Sequence, residues 1–270
     1  MQLGISSYTY GWAIGVPGHA PEKPMDEQDL LDRAARHGVK LVQVCDNLPL
    51  LGLPEDRVVR FRERAVAEGV RIEVGSRRLT VEHAAEMIAL ARRLGARLVR
   101  FVVDGPDHHP GAGDIVRVLR TIVPMLEGER IGIENHDRFP AATLRSIIGQ
   151  VGSDRVGICL DTANSLGAGE GLATVVAELA PWTVNLHIKD FQIARLPHLM
   201  GFKVEGRPAG GGLLDIPRLL AELGRHGRCE TAVLELWTPP EPTLEGTIAK
   251  EEDWAGQSLA HLRPLFASTA

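Results

Sequence analysis

The sequence has little of several features that mark particular classes of protein. It contains no run of about 18 consecutive apolar residues, so no transmembrane helix is expected. Its three cysteines, Cys45, Cys159 and Cys229, lie far apart in apolar segments, which favours reduced thiols over disulfides or a thiolate metal site. The formal net charge is −5. The chain therefore offers no electrostatic attraction for nucleic acid or for an anionic membrane.

What is present suits a globular enzyme. The length of 270 residues is typical of one β/α barrel, and the hydrophobic content of 44% is that of a folded domain. No change in composition marks a second domain, so residues 1–270 are predicted to form one domain. The first residues lack the basic-then-apolar pattern of an export signal, and together with the cysteine usage this predicts a cytoplasmic protein.

A repeated sequence pattern, a glycine followed by an apolar run, predicts the fold. Gly38, Gly69 and Gly95 each end an amphipathic segment and precede an apolar, β-rich run, as expected for a glycine after a helix. Eight such strand and helix units can be counted. The predicted strands are 2–7, 40–46, 71–76, 97–103, 130–135, 155–161, 183–189 and 231–237. The predicted helices are 25–37, 54–68, 80–94, 113–127, 140–150, 169–180, 215–226 and 244–265. This alternation predicts an α/β fold, a single (β/α)8 TIM barrel. An open doubly wound sheet is the alternative, although no Gly-x-Gly-x-x-Gly follows the first strand.

Four of the predicted strands end on a metal-binding side chain. These residues are Glu134, Asp161, His187 and Glu235. The carboxyl ends of parallel barrel strands meet at one rim, so the four side chains are expected to converge there. Three carboxylates and one imidazole suit one divalent metal ion, Mn²⁺ or Mg²⁺ first, with Co²⁺, Fe²⁺ or Zn²⁺ also permitted.

The motifs around these residues resemble those of the xylose isomerase-like barrels, which include sugar 3-epimerases, isomerases, dehydratases and DNA-repair nucleases. The similar phrases are L-D-T-A-N, H-I-K-D and G-R-P-A-G-G-G-L-L-D-I. The resemblance implies that Glu134, Asp161, His187 and Glu235 hold the metal. It also implies that Glu134 and Glu235 move a proton on an enediolate, although both could be ligands alone. Two further phrases, S-Y-T-Y-G-W-A-I-G-V-P-G and C-D-N-L-P-L, look similar to the 3-oxo-isoapionate decarboxylases of this superfamily.

Other residues of the predicted rim could contact substrate. Lys189 points to the same side as His187 by strand alternation and could serve catalysis, by donating to an oxyanion or binding a carboxylate, or it could be a surface lysine. Two long loops, 8–24 and 190–214, follow strands at this rim, where long ordered loops are often functional. The predicted substrate-binding residues are Asn164, Arg207, Tyr8, Trp12, Asn47, Arg77 and Trp237.

The leading functional prediction is a metal-dependent isomerase or epimerase of a small keto-sugar or keto-sugar acid. The alternative is a metal-dependent lyase that decarboxylates a 3-oxo sugar acid or dehydrates a keto-sugar, because rim arginines and Lys189 suit an acidic substrate. A nuclease, a glycosidase and a non-catalytic sugar-binding barrel are less favoured. The expected partner is a small sugar or sugar acid, without nucleic acid or membrane, in a homodimer or homotetramer.

Overall fold

The computed structural model describes residues 1–267, which contain ten strands and nine α-helices. The strands are β1 (Gln2–Ser6), β2 (Leu41–Val44), β3 (Arg71–Arg77), β4 (Leu98–Val102), β5 (Arg130–Glu134), β6 (Val156–Asp161), β7 (Thr183–Ile188), β8 (Asp190–Arg195), β9 (Phe202–Arg207) and β10 (Thr231–Leu234). The helices are α1 (Gly11–Ile14), α2 (Glu27–Arg36), α3 (Glu55–Glu68), α4 (Val81–Leu94), α5 (Ala112–Ile122), α6 (Ala141–Val151), α7 (Leu172–Leu179), α8 (Ile216–His226) and α9 (Leu244–Ala267).

Eight of the strands close into a parallel barrel. Their order around the barrel is β1-β10-β7-β6-β5-β4-β3-β2, and each neighbouring pair is parallel. The prediction of a (β/α)8 barrel is confirmed, and the alternative of an open sheet is wrong. The strands are nearly continuous apolar runs because side chains on both faces are covered, on the inside by other strands and on the outside by helices.

The helix ends follow the sequence signals. Gly69 and Gly95 adopt left-handed backbone with φ of 66° and 70°, and each ends its helix as predicted. Asp26 caps α2 by accepting hydrogen bonds from the backbone N–H groups of Gln28 and Asp29. None of the described helices is both long and apolar enough to span a membrane.

The two long rim loops contain structure that the sequence prediction left out. Residues 190–214 begin with an antiparallel hairpin of β8 and β9, in which Ile193 pairs with Val204 and the guanidinium of Arg195 stacks 4.3 Å from the centre of the Phe202 ring. Gly206 allows this hairpin to dock on the barrel, because a Cβ there would collide with the backbone of Trp237. Residues 8–24 contain a 3-10 turn and the short helix α1.

Candidate metal centre

The barrel brings the four predicted ligand residues to one rim. Asp161 and His187 are register partners at the ends of β6 and β7, and Glu134 ends the neighbouring strand β5. Glu235 directly follows β10, where its backbone N–H donates to the carbonyl of Ile188. The closed barrel thus places at one point four residues that are separated by up to about a hundred positions in the chain.

The imidazole nitrogen Nδ1 of His187 is the centre of this cluster. It lies 3.2 Å from Oε1 of Glu235, 3.5 Å from Oε2 of Glu134 and 4.0 Å from Oδ2 of Asp161. The four residues are at most 2% exposed. Asp161, His187 and Glu235 form one compact group that could hold a metal ion, and Glu134, Cys159 and His187 form a second.

The donor atoms of this cluster fit a divalent cation. Burial lowers the pKa of His187 to about 4, so the imidazole is neutral near pH 7. Nδ1 of His187 is buried and has no hydrogen-bond partner among residues 1–267. Buried polar atoms without partners are rare and costly. Glu134, Asp161, Glu235 and Nδ1 of His187 are the hard oxygen and imidazole donors that would hold a divalent metal ion.

Two buried cations border the carboxylates. The ammonium of Lys189 lies 2.8 Å from Oδ2 of Asp161 and 3.0 Å from Oε2 of Glu235. Burial alone would lower the pKa of Lys189, but Asp161 and Glu235 outweigh burial and raise this pKa above its ordinary value. The guanidinium of Arg100 pairs with Glu134 and lies 2.9 Å from Oδ1 of Asp46. The cluster therefore combines concentrated negative charge with two fixed positive groups.

The environment separates the two glutamates that were predicted as an acid/base pair. Burial raises the pKa of Glu134 to about 8, although Arg100 opposes this effect. Burial also acts to raise the pKa of Glu235, but His187 and Lys189 outweigh it and lower the pKa to about 2. The two carboxylates are thus unlike each other, and their roles as proton carriers stay a prediction.

A cavity of about 760 Å³ opens at Leu236 and Trp237, the two residues that follow Glu235, and its described lining includes neither the four candidate ligands nor Lys189. Its walls include four of the predicted substrate-binding residues: Tyr8, Trp12, Asn47 and Trp237. Asn164, another predicted contact, donates from its Nδ2 to Oε1 of Glu134 at 2.7 Å. The ammonium of Lys189 lies 5.1 Å from the centre of the Trp237 ring, so Lys189 connects the carboxylates with the cavity wall.

Some of these side chains are also used to hold the loops in place. The hydroxyl of Tyr8 donates to Asp46 at 3.0 Å, and the indole N–H of Trp12 donates to the carbonyl of Thr238 at 2.9 Å. The amide of Asn47 donates to the carbonyl of Ser7. These three residues lie at the cavity, but each already uses one polar group in a hydrogen bond that holds the loops in place.

The two predicted substrate arginines lie outside the set of residues that line this cavity. Arg77 lies 3.8 Å from Asp46, with its side chain 42% exposed. Arg207 ends β9, where its register partner is Asp190, and within the described chain its side chain forms neither an ion pair nor a hydrogen bond. Contact of either arginine with substrate stays a prediction.

Sequence reasoning missed two buried side chains of this centre. Arg100 lies within the apolar run L-V-R-F-V of β4 and is 3% exposed, yet it contacts Glu134 and Asp46. Gln43 lies within L-V-Q-V of β2, and its Oε1 is 2.7 Å from Nε2 of His187. The available signal was one polar residue in the middle of a buried strand, because such a residue needs a partner inside the barrel.

A family model described as the xylose isomerase-like TIM barrel matches residues 31–265. The chain belongs to this family. Across 264 residues it is 30% identical to the 3-oxo-isoapionate decarboxylase of Pectobacterium atrosepticum, covering 97% of this chain and 95% of that protein. The family assignment confirms the resemblance that the sequence motifs indicated.

Two solved structures of other proteins have the same fold. The first is a xylose isomerase-like TIM-barrel protein from Mycobacterium smegmatis in complex with magnesium, with a TM-score of 0.69, 17% identity and coverage of 96% of this chain and 97% of that one. The second is the D-psicose 3-epimerase of Clostridium cellulolyticum H10 with D-tagatose, with a TM-score of 0.72, 15% identity and coverage of 98% and 99%.

Proposed function

We propose that this protein is a divalent-metal-dependent carboxy-lyase that releases CO₂ from a small 3-oxo sugar acid. The observation that carries the proposal is the position of Lys189, which is buried between Asp161 and Glu235 and lies against the cavity wall at Trp237. Similarity over nearly the whole chain to a 3-oxo-isoapionate decarboxylase supports this class of substrate.

Decarboxylation does not require a glutamate to act as a base in its first step, whereas isomerisation does. In a 3-oxo acid, the bond to the carboxylate carbon breaks, CO₂ leaves, and the electron pair moves onto the neighbouring ketone oxygen as an enolate. The reaction then needs one proton at carbon and no base to start it. Isomerisation must begin with a base, and a carboxylate that is paired with a cation is a weak base. Here Glu235, one of the two candidate bases, is paired with Lys189, and its pKa is lowered to about 2.

The chain supplies the groups that this reaction needs. A divalent ion held by Glu134, Asp161, His187 and Glu235 would supply Lewis acidity for the oxygen that becomes negative. Lys189 is ammonium at neutral pH, and its fixed charge stabilises the electron-rich product of CO₂ loss. We assign to Lys189 the delivery of the proton to carbon, since an enolate is far more basic than an amine, and water from the cavity would restore that proton.

The experiment measures CO₂ release and solvent deuterium uptake together. Protein stripped with EDTA and reloaded with Mn²⁺ is given 3-oxo-isoapionate in D₂O. We expect one CO₂ and one carbon-bound deuterium per product, and loss of both in EDTA. Lys189→Met should lower turnover by about 10²- to 10⁴-fold, the usual range for removal of a proton donor. Unchanged CO₂ release by Lys189→Met or by the EDTA-treated protein would contradict the proposal.

A metal-dependent isomerase or epimerase is the second candidate. Oε2 of Glu134 and Oε1 of Glu235 both approach Nδ1 of His187, so two carboxylates border one point from different strands. A two-base epimerase needs such an arrangement. Deuterium uptake into keto-sugars without CO₂ release from keto-sugar acids, in the same screen, would favour this candidate over the lyase.

A further inference from the structure

A connected set of buried polar side chains runs from His187 toward the amino end of the barrel. Nε2 of His187 lies 2.7 Å from Oε1 of Gln43. Nε2 of Gln43 in turn donates to Oε2 of Glu73 at 3.1 Å and to Oδ1 of Asn185 at 3.1 Å. All four residues are fully buried. None of Gln43, Glu73 and Asn185 is among the predicted metal ligands, so their function needs another explanation.

The backbone carbonyl of Thr231 fixes the orientation of the Gln43 amide through Asn185, which lies between them in this network. Nδ2 of Asn185 donates to Oγ1 of Thr231 at 2.9 Å and faces the carbonyl oxygen of Thr231 at 3.4 Å. Because a carbonyl only accepts hydrogen bonds, Asn185 must keep its nitrogen there and turn its oxygen to Gln43. An amide oxygen only accepts, so Gln43 must present its nitrogen to Asn185, and the same nitrogen lies 3.1 Å from Oε2 of Glu73.

The orientation of Gln43 decides which nitrogen of His187 carries the hydrogen. With its nitrogen committed to Glu73 and Asn185, Gln43 presents its oxygen to Nε2 of His187, and an amide oxygen can only accept. A neutral imidazole has one N–H, which must therefore lie on Nε2. Nδ1 is left with a lone pair that points at Glu134 and Glu235.

We propose that Gln43, oriented by Asn185 and Glu73, is a positioning residue that sets the tautomer of His187 and makes Nδ1 the metal-binding nitrogen. This inference rests on the metal site of the proposed function. A lone pair facing carboxylates is unfavourable without a cation between them, so the network builds a coordination site before any metal arrives. Gln43, Glu73 and Asn185 lie on β2, β3 and β7 inside the barrel, and together they set the tautomer of a histidine at the rim.

The first test observes the tautomer directly in the metal-free protein. Protein labelled with ¹⁵N-histidine is treated with EDTA, and long-range ¹H–¹⁵N spectra are recorded at pH 7.5. The His187 signals are assigned by their loss in His187→Gln. We expect the hydrogen on Nε2. A wild-type protein with the hydrogen on Nδ1 would overturn the inference, whatever the behaviour of any variant.

The second test removes and then restores the acceptor at position 43. Gln43→Met keeps the side-chain volume but lacks the amide oxygen, and we expect a mixed tautomer and a 10- to 100-fold weaker Mn²⁺ affinity by titration calorimetry, in the range for such supporting groups. Gln43→Glu restores an acceptor at position 43 but lacks the nitrogen that donates to Asn185 and Glu73. We therefore expect the Nε2–H tautomer to persist in this variant, with a lower melting temperature than wild type.

A matched control separates positioning from general packing. Thr183 is fully buried on β7, as Asn185 is, but its hydroxyl donates to the carbonyl of Leu179, outside the network. Thr183→Val should lower the melting temperature without altering the tautomer or the Mn²⁺ affinity. If Gln43→Met keeps both the Nε2–H tautomer and wild-type affinity, the inference is wrong.

The two measurements also distinguish failure of this inference from failure of the proposed function. Wild-type protein that binds no Mn²⁺, Mg²⁺ or Zn²⁺ while it retains the Nε2–H tautomer would overturn the proposed metal site. Tight Mn²⁺ binding together with an Nδ1–H tautomer in the metal-free protein would leave the metal site standing and overturn the role of Gln43.

Discussion

The two ends of this barrel carry the same kinds of charged side chain but use them differently. At the amino end, Arg130 and Glu230 form an ion pair at 2.8 Å with side chains 40% and 51% exposed. At the carboxyl end, Glu235 and Lys189 form an ion pair at 3.0 Å with side chains 1% and 6% exposed. Water screens the first pair, whereas the second must be neutralised by protein groups or bound ions.

The difference shows that burial, and not charge alone, distinguishes a candidate site from a supporting surface. The exposed pair can lose either member at small cost, because solvent takes over the remaining charge. The buried cluster contains a polar atom, Nδ1 of His187, that has no hydrogen-bond partner among the described residues, and such an atom marks a place for a ligand. This agrees with the general division of such barrels into a catalytic and a stabilising end. Four predictions test the comparison.

The largest expected effect comes from exchanging one glutamate at each end for glutamine. Glu235→Gln removes a carboxylate from the proposed metal site, and we expect kcat for CO₂ release to fall by about 10³-fold, the order seen when a key electrostatic group is lost. The matched control is Glu230→Gln, which should stay within about twofold of wild type because its charge is half exposed. Equal activity of the two variants would remove the distinction between the ends.

The second comparison removes one arginine from each end. Arg100→Met leaves Glu134 and Asp46 buried without their cation, so stability should fall by about 3–5 kcal/mol, and activity should fall with it. Arg130→Met removes an exposed partner and should cost about 1 kcal/mol or less. Urea unfolding followed by circular dichroism measures both. A loss for Arg100→Met no greater than for Arg130→Met would contradict the account of the buried cluster.

The third comparison concerns tryptophans. Trp237 lines the cavity beside Lys189, and Trp237→Leu should raise KM by about 2- to 10-fold with a smaller change in kcat, as expected for loss of an aromatic contact. Trp182 lies before β7 at the amino end, and Trp182→Leu should leave KM unchanged even if the protein is less stable. Steady-state kinetics decide between these outcomes, and a similar KM in both variants would argue against the cavity as the substrate site.

The smallest expected effect is a difference in pH dependence between two buried glutamates. Glu251 lines the cavity and accepts from the backbone N–H groups of Trp12 and Ala13, and burial raises its pKa to about 7. The carboxyl group of Glu251 therefore ionises at lower pH in the unfolded chain than in the folded protein. Stability from this group should therefore be present below the ordinary glutamate pKa, near 4.5, and be lost as pH rises to about 7.

Glu129, which precedes β5 at the opposite end, should show the reverse sign. Burial opposes ionisation there, but Arg92 and backbone N–H groups outweigh it and lower the pKa to about 2. Its contribution should be present above pH 4.5 and be lost as pH falls toward 2. Melting curves of wild type, Glu251→Gln and Glu129→Gln between pH 3 and 8 test both signs. Parallel curves for all three proteins would contradict the prediction.

The strand endings show how much of the site could be read from the sequence. Glu134, Asp161, His187 and Glu235 each close an apolar run, and a parallel barrel brings such endings to one rim whatever the details of packing. The fold and the cluster were therefore predictable together. The sequence signal for Lys189 was weaker, because strand alternation gives the side of a residue but does not show that its ammonium reaches Asp161 and Glu235.

The sequence by itself determined the eight strand and helix units and the rim on which the ligand residues meet, because hydrophobic periodicity and glycine punctuation are local properties. Only the tertiary structure decided which residues support that rim from inside the barrel. Arg100 and Gln43 are single polar residues in apolar strands, and their partners lie on strands distant in the chain. Such pairings depend on barrel closure and register, which no local pattern contains.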